Sequence, residues 1–353
     1  MPGVEGPEPL PGTPAAQSVP VGRHAKRGLF VCLVLAFIGA ALPGGSAPRL
    51  VIDDDEFVGK VTSAAGKLLH EGKLQPMAAL RAQVRTRSQP VSLSPISHQP
   101  LTPPDLCDRL SESTLAVGMY YKCPDCDGWH FNSSAGFVVS EGGIICTCCH
   151  VVLAEDKDIK ESYMVAADAT GRVFPVKAVL AADTESDTCF LKIEAAGLKP
   201  LPLRAGVRPG ERIFCLSHPG GYFFMFTQGM VARLNRRQND AMDEHGKTNG
   251  LLTRPILFLN VTAEFAPGSS GAPIVDEAGN VVGQVASIAD AGEPPEDGDE
   301  DAPAWPSVPV RFCTATEEIL RLSQAPAVLK TRGKARHRKA DASEHQTVET
   351  LER

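Results

Sequence analysis

Between about Leu106 and Ser323 the chain is a succession of short apolar runs: AGFVVS, GIICTC, ESYMVAA, FPVKAVLAA, CFLKIEA, RIFCLS, GMVARLN, ILFLNVTA and APIVDEAGNVVGQVASI. Gly, Pro and Asp punctuate them. Runs this short, rich in β-branched residues, form strands, and many strands separated by turns every ~8–12 residues restrict the region to a β-barrel or β-sandwich. Residues 316–324 (TEEILRLSQ) read as one closing helix, with Thr314 or Thr316 as its N-cap and Glu317 and Glu318 in the first turn.

The flanks have a different texture. Residues 1–27 form a Pro- and Gly-rich leader ending in a basic cluster (Arg23, His24, Lys26, Arg27). An apolar run over 28–42 follows, closed by small residues to Ala47, so that 28–47 reads as a signal peptide or an uncleaved membrane anchor. Either reading sends the rest of the chain across a membrane, to a periplasmic or extracellular location. Residues 48–104 comprise one amphipathic helical stretch over 53–86, with acids early and bases late, and a Ser/Pro/Gln-rich linker over 88–104. Residues 325–353 are a basic, polar tail, and EPPEDGDED between Glu293 and Asp301 is an acidic surface loop. The formal net charge of −7 argues against broad nucleic-acid binding, which needs basic surface to displace counterions.

Ten cysteines raise the question of disulfides, but Cys32 lies in the N-terminal apolar run, leaving an odd number elsewhere. Cys146, Cys148, Cys149, Cys189 and Cys215 occupy strand-like runs, where cysteine behaves as a small buried hydrophobe. Mostly reduced thiols are therefore expected. The pair Cys123-Pro124-Asp125-Cys126, with Trp129 and His130 just behind, suits a disulfide loop, a plain hairpin, a zinc knuckle or a redox pair. A metal there would need two further ligands, the near candidates being His130, Cys146 and Cys148.

Three segments carry candidate chemistry. A serine hydroxyl is a weak nucleophile; it needs a tight turn, a neighbouring base and backbone N–H groups aimed at the developing oxyanion. Ala266-Pro267-Gly268-Ser269-Ser270-Gly271-Ala272-Pro273 supplies such a turn before an apolar strand. Cys146-Thr147-Cys148-Cys149-His150 places a histidine at the end of another, and Ser186-Asp187-Thr188-Cys189 places an acid just before a third. Each segment alone has a bland explanation: a hairpin turn, a core histidine, a capping acid. Together, the chain order His150, Asp187, Ser270 is one in which the Ser-His-Asp triad recurs.

GGIICTCCHVV, ADTESDTCFLKIEA and FLNVTAEFAPGSSGAPIVDEAGNVVGQVAS resemble, in order, the histidine, aspartate and nucleophile segments of HtrA-like trypsin-fold peptidases. LKPLPLRAGVRPGERIFCLSHPGGYFFMFTQGMVARLNR is similar to the stretch joining their two barrels, and the resemblance runs over residues 101–324. It implies an all-β fold of two six-stranded antiparallel barrels over 105–196 and 197–324, with a C-terminal helix, and no PDZ domain. It also implies a serine endopeptidase that needs no cofactor or metal and acts on polypeptides. Ser270 would be the nucleophile, His150 the base and Asp187 its orienter. The backbone of Gly268, Ser269 and Ser270 would form the oxyanion hole, and Glu264, Gln284, Val285 and Ala286 the substrate pocket.

The departures matter too. Ser269 stands where relatives carry Asp or Asn, which removes one route of zymogen activation, and Ala272 replaces a usual glycine. Cys149 beside His150 would let thiol oxidation disturb the base. A catalytically silent trypsin-fold binding module is the competing reading.

Overall fold

The computed structural model describes residues 51–84, 89–239, 251–291 and 308–324. The leader, the apolar run 28–42, the acidic loop and the tail lie outside the described residues. No helix among the described residues is long and apolar enough to cross a membrane.

The short runs become two closed antiparallel barrels of six strands each. The first contains β1 (Thr114–Lys122), β2 (Trp129–Ser140), β3 (Ile144–Thr147), β4 (Ser162–Ala167), β5 (Val173–Asp183) and β6 (Thr188–Ile193). It closes in the order β1-β2-β3-β6-β5-β4. The second contains β7 (Arg212–Ser217), β8 (Met225–Asn239), β9 (Leu251–Val261), β10 (Pro273–Val275), β11 (Val281–Ala291) and β12 (Val308–Ala315), closing as β10-β11-β12-β9-β8-β7. Closure removes every exposed strand edge, so each backbone ladder finds its partner. Leu115, Ile145, Met164 and Leu191 help fill the first barrel; Ile213, Leu259, Ile274 and Val282 help fill the second.

The segment ahead of the barrels is two helices rather than one. In α1 (Asp54–His70) Asp53 caps the start by accepting the Glu56 N–H at 2.9 Å, and Phe57, Val61 and Ala65 form its buried face at four-residue spacing. Gly72, at φ +67°, ends it, because the left-handed conformation needed to turn the chain there has no steric cost for glycine. After this break, α2 (Met77–Val84) buries Met77, Leu80 and Val84 in the core of the first barrel.

The Ser/Pro/Gln-rich stretch is not a free linker. Val91 is buried and donates its N–H to the Ser323 carbonyl at 3.0 Å. The Asn280 side-chain oxygen accepts the Ser97 N–H at 2.7 Å and its Nδ2 donates to the Ser97 carbonyl, while Leu101 N–H reaches the Glu277 carbonyl at 2.8 Å. The stretch straps the second barrel and leads into α3 (Pro103–Ser111), which Thr102 caps.

Two further helices complete the elements: α4 (Cys149–Leu153), directly after β3, and α5 (Thr316–Ser323), directly after β12. The N-cap of α5 is Ala315, with no side-chain bond, rather than either threonine. Both threonines are used elsewhere: Thr314 Oγ1 donates across the barrels to the Ser186 carbonyl, and Thr316 Oγ1 donates within the second barrel to the Val281 carbonyl, each at 2.9 Å. Buried Glu318 accepts the Leu257 N–H and pairs with Arg254, which also reaches Asp183 at the end of β5. Arg321 bonds Asp183 as well, so α5 and both barrels share one ionic network.

Candidate active site

Strand register alone delivers the first two candidate residues to one place. In the β3–β6 pair Thr147 lies opposite Cys189. His150 follows Thr147 by three residues, at the start of α4, and Asp187 precedes Cys189 by two. Asp187 has φ +51°, a left-handed conformation in which Asp and Asn are enriched among non-glycine residues. Its carboxylate thereby faces back onto His150. Oδ1 accepts the His150 backbone N–H at 2.9 Å, and Oδ2 lies 2.6 Å from the ring Nδ1. An ionised carboxylate can only accept, so Nδ1 carries the proton and Nε2 presents a bare lone pair. Burial pushes the His150 imidazole down, but the charge of Asp187 and its hydrogen bond outweigh it and leave the pKa above the ordinary histidine value. The ring lies in a recess yet is 46% exposed, so a reacting group can reach it.

The Asp187 main chain is fixed as firmly. Its carbonyl accepts the Cys149 N–H at 3.3 Å and the Gln284 side-chain amide at 3.1 Å. Gln284 comes from β11 of the other barrel, is fully buried, accepts from the Cys146 thiol and donates to Cys148 Sγ. Expected in the substrate pocket, its side chain is instead taken up in holding the aspartate. Val285 and Ala286, beside it, are buried, whereas Glu264 is exposed and receives the Thr227 hydroxyl on its carbonyl.

The turn bearing Ser270 is held by short backbone bonds. Ser269 N–H donates to Ala266 O and Ala272 N–H to Ser269 O, both at 3.0 Å. Gly268 (φ +96°) and Gly271 (φ +86°) are required by close approach as well as by conformation. A Cβ on Gly268 would lie 2.5 Å from the His218 carbonyl, and one on Gly271 would lie 2.2 Å from the Ala135 carbonyl and 2.5 Å from Thr147 Oγ1. Ala272 is absent from the left-handed region, so its methyl costs the backbone nothing there.

Two links tie this turn to the strand end that carries His150. Ala135 gives its N–H to Ser270 O at 2.8 Å and accepts Thr147 Oγ1 at 2.7 Å. The Val285 carbonyl accepts both the Gly271 N–H and the Cys148 thiol.

The two adjacent serines are divided in role by burial. Ser269 is fully buried and donates its hydroxyl to Ser217 Oγ at 3.1 Å; Ser270 is partly exposed. The Ser269 N–H is already committed to Ala266, which removes it from the expected oxyanion donors. Among the described residues the N–H groups of Gly268 and Ser270 bond no other protein atom. The Gly268 N–H is also aimed. Gly220 N–H holds the Pro267 carbonyl at 2.7 Å, and in a planar trans peptide the N–H must then point the opposite way.

All nine cysteines among the described residues are free thiols. Burial pushes Cys146, Cys148 and Cys149 well above the ordinary thiol range. Oxidation needs an accessible thiolate, so the expectation of an oxidation-sensitive thiol beside His150 is not met.

His218 gave no sign in the sequence beyond the Gly-Gly pair that follows it. It is fully buried beneath the Ser270 turn, and its Nδ1 accepts the Phe224 N–H at 3.0 Å. Phe224 takes a left-handed φ of +58° to make that bond. Burial pushes the imidazole down to about 4, against a weaker pull from the Leu115 and Ser217 backbone. Between about pH 6.5 and about pH 4 the unfolded chain therefore binds a proton that the folded chain refuses, and stability is lost as pH falls through this window. From about pH 6.5 to about pH 5 the loss should be on the order of 2 kcal/mol. Urea denaturation of wild type and His218→Gln over this interval checks it, since the variant should show a flatter dependence; equal slopes would remove His218 as the cause.

The family model described as the trypsin-like peptidase domain matches residues 134–283. Serine protease HTRA2, mitochondrial, of Drosophila pseudoobscura pseudoobscura is 27% identical over 154 residues, 43% of this chain and 33% of the relative. Serine protease HTRA1B of Danio rerio is 31% identical over 154 residues, 43% of this chain and 29% of the relative. Among solved structures, the HtrA-type protease AlgW with a decapeptide is similar at 19% identity and a TM-score of 0.48, covering 64% of this chain and 67% of that one. The matched segment thus spans about a third of the length of these curated relatives. With its two closed barrels, its ordered histidine, aspartate and serine segments and the match over 134–283, this part of the chain is similar to the trypsin-like peptidase domain and to the HtrA serine proteases among its relatives.

Proposed function

We propose that the chain is a serine endopeptidase that cleaves polypeptides through an acyl-enzyme. The observation that carries this is the His150–Asp187 pair, closed by bonds of 2.6 and 2.9 Å beside a glycine-framed serine turn with two unengaged N–H groups. Ser270 Oγ attacks the scissile carbonyl carbon while His150 Nε2 takes the hydroxyl proton. The oxyanion draws on the Gly268 and Ser270 N–H groups. His150 then returns the proton to the leaving amine, and a water repeats the sequence to release the acid and restore Ser270. Asp187 holds the tautomer and stabilises the imidazolium. The basic cluster, apolar run and small residues before residue 48 support a workplace outside the cytoplasm, with 28–42 as a signal or an anchor.

A fluorophosphonate probe tests the reading. Wild-type chain should label stoichiometrically at Ser270, and Ser270→Ala should abolish labelling while keeping the circular dichroism of the folded barrels. Folded wild-type chain that does not label would favour the silent binding module.

A further inference from the structure

The β1–β2 hairpin ends in a six-residue tip, Cys123 to Gly128, whose chemistry the peptidase reading leaves unused. The sulfurs of Cys123 and Cys126 and a ring nitrogen of His130 lie within 4.8 Å of one another. Cys126 Sγ is 3.1 Å from His130 Nε2. We propose that this tip is a zinc site, with Cys123, Cys126 and His130 as three ligands and an exchangeable water in the fourth position.

Tetrahedral zinc, with Zn–S bonds of ~2.3 Å and Zn–N bonds of ~2.0 Å, requires ligand atoms ~3.5–3.8 Å apart, so small rotations of these side chains reach it. Two thiolates and an imidazole select zinc over hard cations such as magnesium or calcium. The turn is built to hold them. Cys123 N–H bonds the Gly128 carbonyl at 3.1 Å, Lys122 Nζ holds the Asp127 carbonyl, and the Gly128 N–H donates to Cys126 Sγ at 3.3 Å. A side chain at Gly128 would put its Cβ 3.2 Å from Cys126 Sγ and 3.5 Å from His130 Nε2, crowding two of the ligand atoms.

Behind the tip, aromatic rings make a stiff base. Trp129 stacks on Tyr120 with centroids 4.7 Å apart, and the His130 ring lies 5.8 Å from that of Tyr121. Cys146 and Cys148, the other near thiols, are committed to Gln284 and Val285 in the barrel interface, which leaves His130 as the third ligand. Among the described residues no fourth side-chain ligand joins the cluster, and Cys126 and His130 are exposed, so that position faces solvent.

The test uses the full chain, reduced, stripped with chelator, then incubated with zinc chloride and desalted. Wild type should retain one zinc per chain that Cys123→Ser/Cys126→Ser lacks, the variant keeping its circular dichroism and its fluorophosphonate labelling. With cobalt in place of zinc, wild type should show thiolate-to-metal charge transfer and tetrahedral visible bands. His130→Ala should shift the visible bands while charge transfer persists. Equal zinc retention by wild type and the double variant overturns the proposal, as does a Cys123–Cys126 disulfide that persists in excess reductant. Neither outcome depends on peptidase activity.

Discussion

Asp187→Asn should lower kcat/KM by about 10⁴-fold while the chain stays folded. The asparagine side chain can still accept the His150 backbone N–H through its carbonyl oxygen, so the turn at φ +51° should persist. Its amide, however, now points a donor at the imidazole where the carboxylate pointed an acceptor. Nδ1 must accept, the ring proton moves to Nε2, and the atom facing the substrate can no longer take a proton from Ser270. The same change removes the two influences that hold the His150 pKa above its ordinary value. In the proposed mechanism His150 works as neutral imidazole, so wild-type kcat/KM should rise with pH through an ionisation above the usual histidine range. In the variant the residual activity should titrate lower. A pH–rate profile of both proteins measures the two effects together. Unchanged kcat/KM would mean that Asp187 only shapes the turn leading into β6.

Phe57→Ala should destabilise the chain by about 3–5 kcal/mol, the range for emptying a buried aromatic site. Phe57 is the anchor of α1, its ring 4.4 Å from Phe223 and 5.7 Å from Phe224 by centroid. Asp54, one turn earlier, accepts the Phe223 N–H at 2.9 Å. Those two phenylalanines close the loop that begins at His218 and includes Gly220, the residue that aims the Pro267–Gly268 peptide. A helix outside both barrels therefore supports the proposed oxyanion donor at Gly268. In conditions where the variant is fully folded, kcat should fall severalfold with KM little changed, because the donor acts chiefly on the transition state. Urea denaturation gives the first quantity and steady-state kinetics the second; a stability loss with intact kcat would reduce α1 to a structural prop.

The β texture and the order of the three chemical segments are legible because both are local. Alternating apolar runs and glycine-flanked turns are written within ~10 residues, and each of His150, Asp187 and Ser270 adjoins such a run. What escapes the sequence is set by contacts across large separations. Gln284 belongs, by position, beside a pocket; its amide reaches Asp187, 97 residues earlier, because β11 lies against the first barrel. The stretch 88–104 has a linker's composition, yet its backbone finds partners at Asn280 and Ser323. The weak amphipathic pattern of 53–86 conceals a break at Gly72 and two separate docking faces. Thr314 and Thr316 have capping chemistry, but carbonyls distant in sequence, at Ser186 and Val281, compete for their hydroxyls. His218 is the sharpest case, since a histidine before Pro-Gly-Gly carries no mark of complete burial.

One acceptor oxygen, on Val285, serves two masters: the amide following Ser270 and the thiol two residues ahead of His150. Prising the barrels apart would break the thiol's share of that bond and part Ser270 from His150, the proposed nucleophile and base, in a single event. Partial opening should therefore switch hydrolysis off outright, so that residual turnover during unfolding reports the surviving fraction of intact molecules.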